Sequence, residues 1–171
     1  MKVAHINTFS NGSTGKIARG LIADDRAAGG DGILFYARGP IVFDVPCKNF
    51  SSKTDIYLHG VFSRMFDSQG LHSKGKTRRL IALLKEYDPD VIHLHNLHGY
   101  YLNYPLLFRY LKRSGKQVRW TLHDCWAFTG HCAYFSYVGC EKWKTGCYQC
   151  PQKHSDPKSL LLYRYKRNYR L

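Results

Sequence analysis

Acidic residues are scarce in this sequence, and long apolar runs are missing. Its 171 residues include 12 Asp and Glu against 26 Lys and Arg, which gives a formal net charge of +14. No run approaches the roughly 20 apolar residues that a transmembrane helix needs, and residues 1–15 contain neither a long apolar stretch nor a cleavage signal. We therefore expect neither a membrane-spanning helix nor a secretory signal, and we expect a cytoplasmic protein.

Internal repeats and low-complexity segments are also missing, while 44% of the residues are hydrophobic and 15% are aromatic. This composition excludes a disordered chain and indicates a globular one. At this length we expect a single domain, residues 1–171, with its own core. The excess of positive charge predicts an anionic partner, which could be nucleic acid, a phosphorylated small molecule or an acidic lipid surface.

Strand-like and helix-like segments alternate along the chain. Short β-prone runs predict four strands, at residues 2–8, 33–37, 91–95 and 118–122. Periodic apolar residues and capping signals predict five helices. One follows the turn that ends at Gly15, and the others cover residues 55–66, 77–87, 104–113 and 159–171. Residues 39–54 are predicted to be a loop. This alternation predicts an α/β fold, a Rossmann-like doubly wound parallel sheet with a cysteine-rich loop inserted after the fourth predicted strand.

Polar residues follow three of the predicted strands, as the pairs Asn7-Thr8, His95-Asn96 and His123-Asp124. Because ligands bind beyond the carboxyl ends of parallel strands, these pairs predict one polar site. Each pair has a structural alternative, such as a histidine satisfied within the core or an Asp124 that only caps a turn. We also expect His93 and His95, on either side of Leu94, to point to opposite faces of the sheet.

The turn after the first strand is rich in small residues but matches neither common phosphate-binding pattern. Ser10 stands where a P-loop requires glycine, and Ile17 follows Gly15-Lys16 where serine or threonine is required. The pattern G-x-G-x-x-G is also absent. What remains is a helix N-terminus whose backbone N–H groups favour an anion, with a plain strand-to-helix connection as the alternative.

Five of the six cysteines fall between residues 125 and 150. Cys147 and Cys150 have the spacing of a zinc knuckle, and Cys132 and Cys140 supply a second pair, so four thiolates could form a closed structural zinc site. A reducing compartment favours metal over disulfides. Unligated thiols and disulfides remain as alternatives.

Three stretches carry a resemblance to a known family: HINTFSNGSTGKIA, PDVIHLHNLHGYYLNYPLLFRYL and WTLHDCWAFTGHCAYF, the last continuing through GCEKWKTGC and CPQ. They resemble the N-terminal half of a GT-B glycosyltransferase of retaining family 4, in the branch that makes bacterial capsular, exopolysaccharide or colanic-acid-type chains. The resemblance implies an enzyme that moves a sugar from a nucleotide-sugar to a saccharide acceptor, which is often lipid-linked. Residues 1–171 would be the acceptor-side domain, without the C-terminal donor domain and inactive alone.

The resemblance also implies roles for individual residues. Its donor-phosphate loop would be Ser13, Thr14, Gly15 and Lys16, and its acceptor side would be His95, Asn96, His98 and Tyr100. His123 and Asp124 would lie beside the transferred sugar, which His123 would orient while stabilising developing charge. The positive charge would then suit peripheral contact with an anionic membrane at its inner face, and no nucleic-acid partner is expected.

Two other functions compete with this interpretation. A zinc-stabilised nucleic-acid-binding module would explain the charge, the cysteines and the aromatic residues, and it predicts salt-sensitive binding. A metal-dependent hydrolase would use His123, Asp124 and His95 as ligands around an open metal position. Neither accounts for the polar strand ends and the cysteine-rich loop together.

Overall fold

The computed structural model describes residues 1–129, 131–147, 149–155 and 158–160. Its strands are β1 (Lys2–Phe9), β2 (Asp31–Arg38), β3 (Cys47–Asn49), β4 (Val91–Leu94) and β5 (Gln117–Trp120). They form one parallel sheet in the order β3-β2-β1-β4-β5. The predicted Rossmann-like α/β fold is therefore confirmed, with the cysteine-rich region following the last strand.

Helices cover both faces of this sheet. They are α1 (Gly12–Ala27), α2 (Lys53–Phe66), α3 (Lys74–Tyr87) and α4 (Tyr104–Arg113). Helix α1 buries Ala18 and Ile22 in a small cluster with Leu34 of β2. The larger cluster lies on the opposite face, where α3 and α4 pack on alternate residues of β1 and β4 such as Ile6 and Leu94.

Most predicted elements appear close to their predicted positions. Helix α4 has its predicted bounds because Asn103 accepts a hydrogen bond from the Leu106 N–H and Pro105 occupies the first turn. The predicted loop over 39–54 is wrong in part, because β3 lies within it and pairs with β2. The fourth predicted strand is therefore β5. The helix predicted over 159–171 lies almost entirely outside the described residues.

Strand β5 forms one edge of the sheet. Its first three residues are exposed, and Trp120 is half-buried against Phe108, with ring centroids 5.7 Å apart. The Trp120 indole N–H donates to the His95 carbonyl oxygen at 3.0 Å, which fastens this edge to the end of β4. Within the described ranges, no helix has the length and apolar character needed to cross a bilayer.

Candidate functional site

A cleft of about 750 Å³ opens at the carboxyl ends of β1, β4 and β5. It brings together residues from the three sequence stretches that carry the resemblance, namely Ser13, Thr14, Asn96, His98, His123 and Asp124. Parallel strands deliver their carboxyl ends to one edge of the sheet, so residues distant in sequence converge there. The cysteine-rich region supplies a further wall through Ala133 and Tyr134.

Asn7 connects two of the chain segments that line this cleft. Its side chain is fully buried, and its amide N–H₂ donates to the Phe9 carbonyl at 2.8 Å and to the Thr14 hydroxyl at 3.1 Å. Its amide oxygen accepts the Asn96 backbone N–H at 3.2 Å. One buried amide therefore ties the start of α1 to the end of β4, and the buried polar groups of both are satisfied.

Gly15 and Lys16 lie differently from Ser13 and Thr14. A Cβ on Gly15 would stand 2.8 Å from the carbonyl carbon and oxygen of Ser10, so this glycine lets α1 approach the end of β1. Lys16 is exposed and does not line the cleft. Of the four predicted loop residues, the structure thus places two at the cleft.

His98 and Asp124 form the polar wall opposite α1. The His98 Nε2 and an Asp124 carboxylate oxygen are 2.7 Å apart, and the other oxygen accepts the Trp126 N–H at 2.9 Å. Burial by itself would raise the pKa of Asp124, but the hydrogen bonds from His98 and Trp126 hold that pKa below its usual range. Asp124 is therefore a fixed carboxylate.

Three histidine rings run from beneath the sheet edge into the cleft, and we call His5, His95 and His123 the histidine chain. The His5 Nδ1 and His95 Nε2 are 3.0 Å apart, and the His95 Nδ1 and His123 Nε2 are 3.1 Å apart. The ring centroids of the two pairs are 5.3 and 5.4 Å apart, so the facing nitrogens lie on the line between them. Since the ring planes are tilted by only about 20°, the rings meet edge to edge, nearly in one plane. Burial, with help from neighbouring histidines, lowers the pKa of His5 and of His95 to about 3, so both are neutral near pH 7.

The prediction that His93 and His95 point to opposite faces is wrong. Their rings stack with centroids 4.4 Å apart, because residues two apart along a strand share a face. The His93 Nε2 lies 2.8 Å from the Thr121 hydroxyl, and burial lowers the His93 pKa, with Arg119 adding to the effect. Correct use of the two-residue period would have joined His93 and His95, and pairing of His93 with His5 brings in the third ring.

The buried His5, His93 and His95 could bind a metal ion, since one nitrogen of each lies within 4.8 Å of the others. In the structure, however, the facing nitrogens of His5 and His95 are used in a hydrogen bond within nearly coplanar rings. No other comparably tight group of His, Cys, Asp or Glu occurs in the described ranges. Neither the four cysteines nor the set of His95, His123 and Asp124 forms such a group in this part of the chain.

We call residues 125–150 the cysteine segment; its described residues include three short 3₁₀ turns around aromatic rings. Phe128, Phe135 and Trp143 pack with centroid distances between 5.0 and 6.2 Å. Burial raises the Cys132 pKa to about 11, and nearby Cys150, Cys147 and Cys140 add to the increase. All six cysteines carry thiols rather than disulfides. The four predicted ligands are thus neighbours without forming a closed ligand sphere.

Tyr100 lies away from the cleft. It lines a second cavity of about 620 Å³ together with Arg38, Lys53 and Arg64. Its φ of +64° turns the ring towards His59, with centroids 6.0 Å apart. The structure therefore separates Tyr100 from the other predicted acceptor-side residues, since His98 and Asn96 face the cleft and His95 lies in the histidine chain.

Comparison with known proteins gives a partial match. The chain is 42% identical over 74 residues to WcaC of Escherichia coli (strain K12), a protein whose name describes it as a colanic acid biosynthesis glycosyl transferase. The match covers 40% of this chain and 18% of that protein, so it spans less than a fifth of the relative. No protein-family profile matches the chain, and no solved structure matches it.

Proposed function

We propose that this chain is the acceptor-side domain of a retaining GT-B glycosyltransferase in bacterial surface-polysaccharide synthesis. The observation that carries the proposal is the convergence of the three predicted stretches on one cleft at the sheet's carboxyl edge. The local similarity to WcaC supports the same class of reaction. In this proposal a second domain binds the nucleotide-sugar and closes the cleft, and residues 1–171 alone do not transfer sugar.

The start of α1 suits the donor phosphates. The cap residue Asn11 makes no side-chain hydrogen bond to the helix, and the first turn has no acidic residue. The N–H groups near Ser13 and Thr14 are therefore offered to an anion, which the helix dipole also favours. Lys16, one turn further along an exposed surface, would add positive charge beside the bound phosphates.

His123 and Asp124 would act on the sugar itself. His123 lines the cleft beside Asp124, and hydrogen bonds hold both side chains in place. A positioned imidazole next to a fixed carboxylate can orient a sugar hydroxyl and stabilise positive charge that develops at the anomeric carbon. His98 and Asn96, on the same cleft, would contact the acceptor.

Two further assignments belong to the same proposal. Zinc would bind Cys132, Cys140, Cys147 and Cys150 and hold the cysteine segment against the cleft, since the four thiols are already neighbours. The net charge of +14 would draw the domain to the anionic inner face of the cell membrane, where a lipid-linked phosphosugar acceptor resides.

The test is sugar transfer by the complete protein, measured as radiolabel passed from a panel of UDP- and GDP-sugars to a bacterial lipid extract. His123→Ala is expected to lower kcat by about 100-fold or more, the usual cost of one positioned group at a reacting centre. His154→Ala, a change at an exposed histidine, is the matched control and should transfer normally.

Two results would contradict the proposal. Normal kcat in His123→Ala would remove this residue from the reaction. Salt-sensitive binding of the protein to DNA or RNA, without transfer from any donor, would favour the nucleic-acid-binding alternative.

A further inference from the structure

At its His5 end, the histidine chain lies next to a carboxylate on α1. The His5 Nε2 is buried and makes no hydrogen bond within the described residues, but an Asp25 carboxylate oxygen on α1 lies 3.8 Å from it. His5 is 1% exposed, whereas the Asp25 side chain is 33% exposed. The far end of the chain is thus in contact with water through Asp25, on the opposite side of the histidines from the cleft.

We propose that Asp25, His5, His95 and His123 form a proton relay that connects the cleft to solvent. His95 uses both ring nitrogens in contacts to its neighbours, whereas His5 and His123 each use one and leave the other for the Asp25 end and the cleft end of the relay. Each ring can therefore accept a proton at one nitrogen and release one from the other. The source of the proton, an acceptor hydroxyl, rests on the proposed function. The relay itself rests on the geometry of the four side chains.

The carboxylate sets the direction of the relay. A negative charge beside the His5 Nε2 attracts an N–H there and repels a lone pair, which favours the Nε2–H tautomer of His5. The His5 Nδ1 must then accept, so His95 donates through its Nε2–H. By the same logic the His95 Nδ1 accepts the Nε2–H of His123. Asp25 therefore leaves the His123 Nδ1 with a lone pair.

That last nitrogen is the one available to a ligand. The His123 Nδ1 makes no hydrogen bond within the described part of the chain, and His123 lines the cleft. In the transfer step the acceptor oxygen bonds to the anomeric carbon as the bond from that carbon to the donor phosphate oxygen breaks and the nucleotide leaves as an anion. The acceptor hydroxyl loses its proton to the His123 Nδ1. The Nε2 protons of His123 and His95 move to the His95 Nδ1 and the His5 Nδ1. The Nε2 proton of His5 passes to the Asp25 carboxylate once that partly exposed side chain rotates and shortens its resting separation of 3.8 Å to hydrogen-bond distance. Each histidine gains one proton and releases one, so the chain stays neutral.

Burial favours a neutral chain, although two neighbouring carboxylates act in the opposite direction. The charged and titratable groups that face it are His93 stacked on it from β4, Arg119 on β5, Asp124 beside His123 and Asp25 on α1. Burial and the neighbouring histidines disfavour a resident positive charge on His5 or His95. Concerted passage of a proton avoids holding that charge inside the fold.

The relay is tested by nuclear magnetic resonance of the chain with ¹⁵N-labelled histidine, in the presence of a chelator near pH 7. Long-range ¹H–¹⁵N spectra show which ring nitrogen of each histidine carries the proton. We expect the Nε2–H tautomer at His5, His95 and His123. In Asp25→Asn all three should lose this single tautomer together, whereas Asp25→Glu, which keeps the carboxylate, should retain it.

Asp24→Asn is the matched control, because Asp24 is the exposed neighbour of Asp25 on the same helix. It should leave all three tautomers unchanged. The relay would be overturned by an Nδ1–H tautomer at His123 in the native chain. It would also be overturned if the three tautomers were unchanged in Asp25→Asn. Zn²⁺ is then added after the chelator is removed. A shift of the His5 and His95 nitrogen signals would also overturn the relay, because the group would then be a metal centre.

In the complete enzyme, Asp25→Asn should lower kcat about tenfold or more with little change in KM, since the proton path is shortened while the cleft is intact. The dependence of kcat on the D₂O fraction should change from curved to linear. If the tautomers are as expected but the complete protein transfers no sugar, the proposed function is wrong and the relay stands. If sugar is transferred but the tautomers are not as expected, the relay alone is wrong.

Discussion

The histidine chain and the cysteine segment lie next to each other but are organised in opposite ways. The histidines stand on paired strands, and their facing nitrogens are already 3.0 and 3.1 Å apart. The cysteines lie in irregular backbone between short turns held by aromatic packing, and their sulfurs are neighbours without forming a tight group. Strand register alone can position side chains closely, whereas an irregular segment needs a ligand or a cross-link to do so.

Lowering the pH should distinguish the two regions most strongly, because it lowers the unfolding free energy through the histidine chain. The pKa values of His5 and His95 fall from 6.5 in the unfolded chain to about 3 in the folded one. The unfolded state therefore binds more protons between these values, and the stabilisation present above pH 6.5 is lost as the pH falls towards 3. Each histidine should contribute a slope of about 1 kcal/mol per pH unit within this window.

This slope is measured by urea unfolding at a series of pH values. His5→Asn should make the slope shallower by about one histidine's share, whatever its effect on overall stability. His154→Gln, at an exposed position, should leave the slope unchanged. An unfolding free energy that is flat from pH 6.5 to pH 4 would show that these histidines are not buried in neutral form.

Zinc should act on the cysteine side and leave the histidine side alone. A slight excess of Zn²⁺ over one equivalent should raise the melting temperature by several degrees, because a ligand that binds only the folded state stabilises it by an amount that grows with the logarithm of free ligand over Kd. Cys147→Ser should abolish this increase, whereas Cys47→Ser, on β3 and outside the segment, should retain it. Zinc content below about half an equivalent in the purified protein, with no change in melting temperature, would contradict a structural site.

Two glycines of α1 give the smallest and most local comparison. Gly15→Ala should lower the unfolding free energy by about 1–3 kcal/mol, because its Cβ would press on the backbone of Ser10 at 2.8 Å. Gly20→Ala, in the same helix with open space around it, should raise the unfolding free energy by about 0.5–1 kcal/mol. Chemical denaturation of both variants checks the pair, and equal effects would show that α1 does not depend on close approach at Gly15.

The sequence was a good guide wherever local chemistry decides the structure. Pro105 predicts the start of α4, where the structure adds the Asn103 cap, and the polar pairs at strand ends predict the cleft. Strand β3 escaped prediction because three residues after Pro46 carry no periodic pattern, and only pairing with β2 makes them a strand. Tyr100 left the predicted site because a positive φ redirects its ring, which no local pattern reveals. His5 entered the site through strand register, a non-local property.

Strand β5 has a practical consequence for handling this protein. Its outer edge has no strand partner among the described residues, and Gln117, Val118 and Arg119 are exposed. An open edge is a template on which another extended chain can add, while a short edge that carries a positive charge resists such addition. Self-association at this edge should therefore be suppressed at low ionic strength and should appear as salt screens Arg119. Concentrated samples would then stay monodisperse longest in dilute buffer.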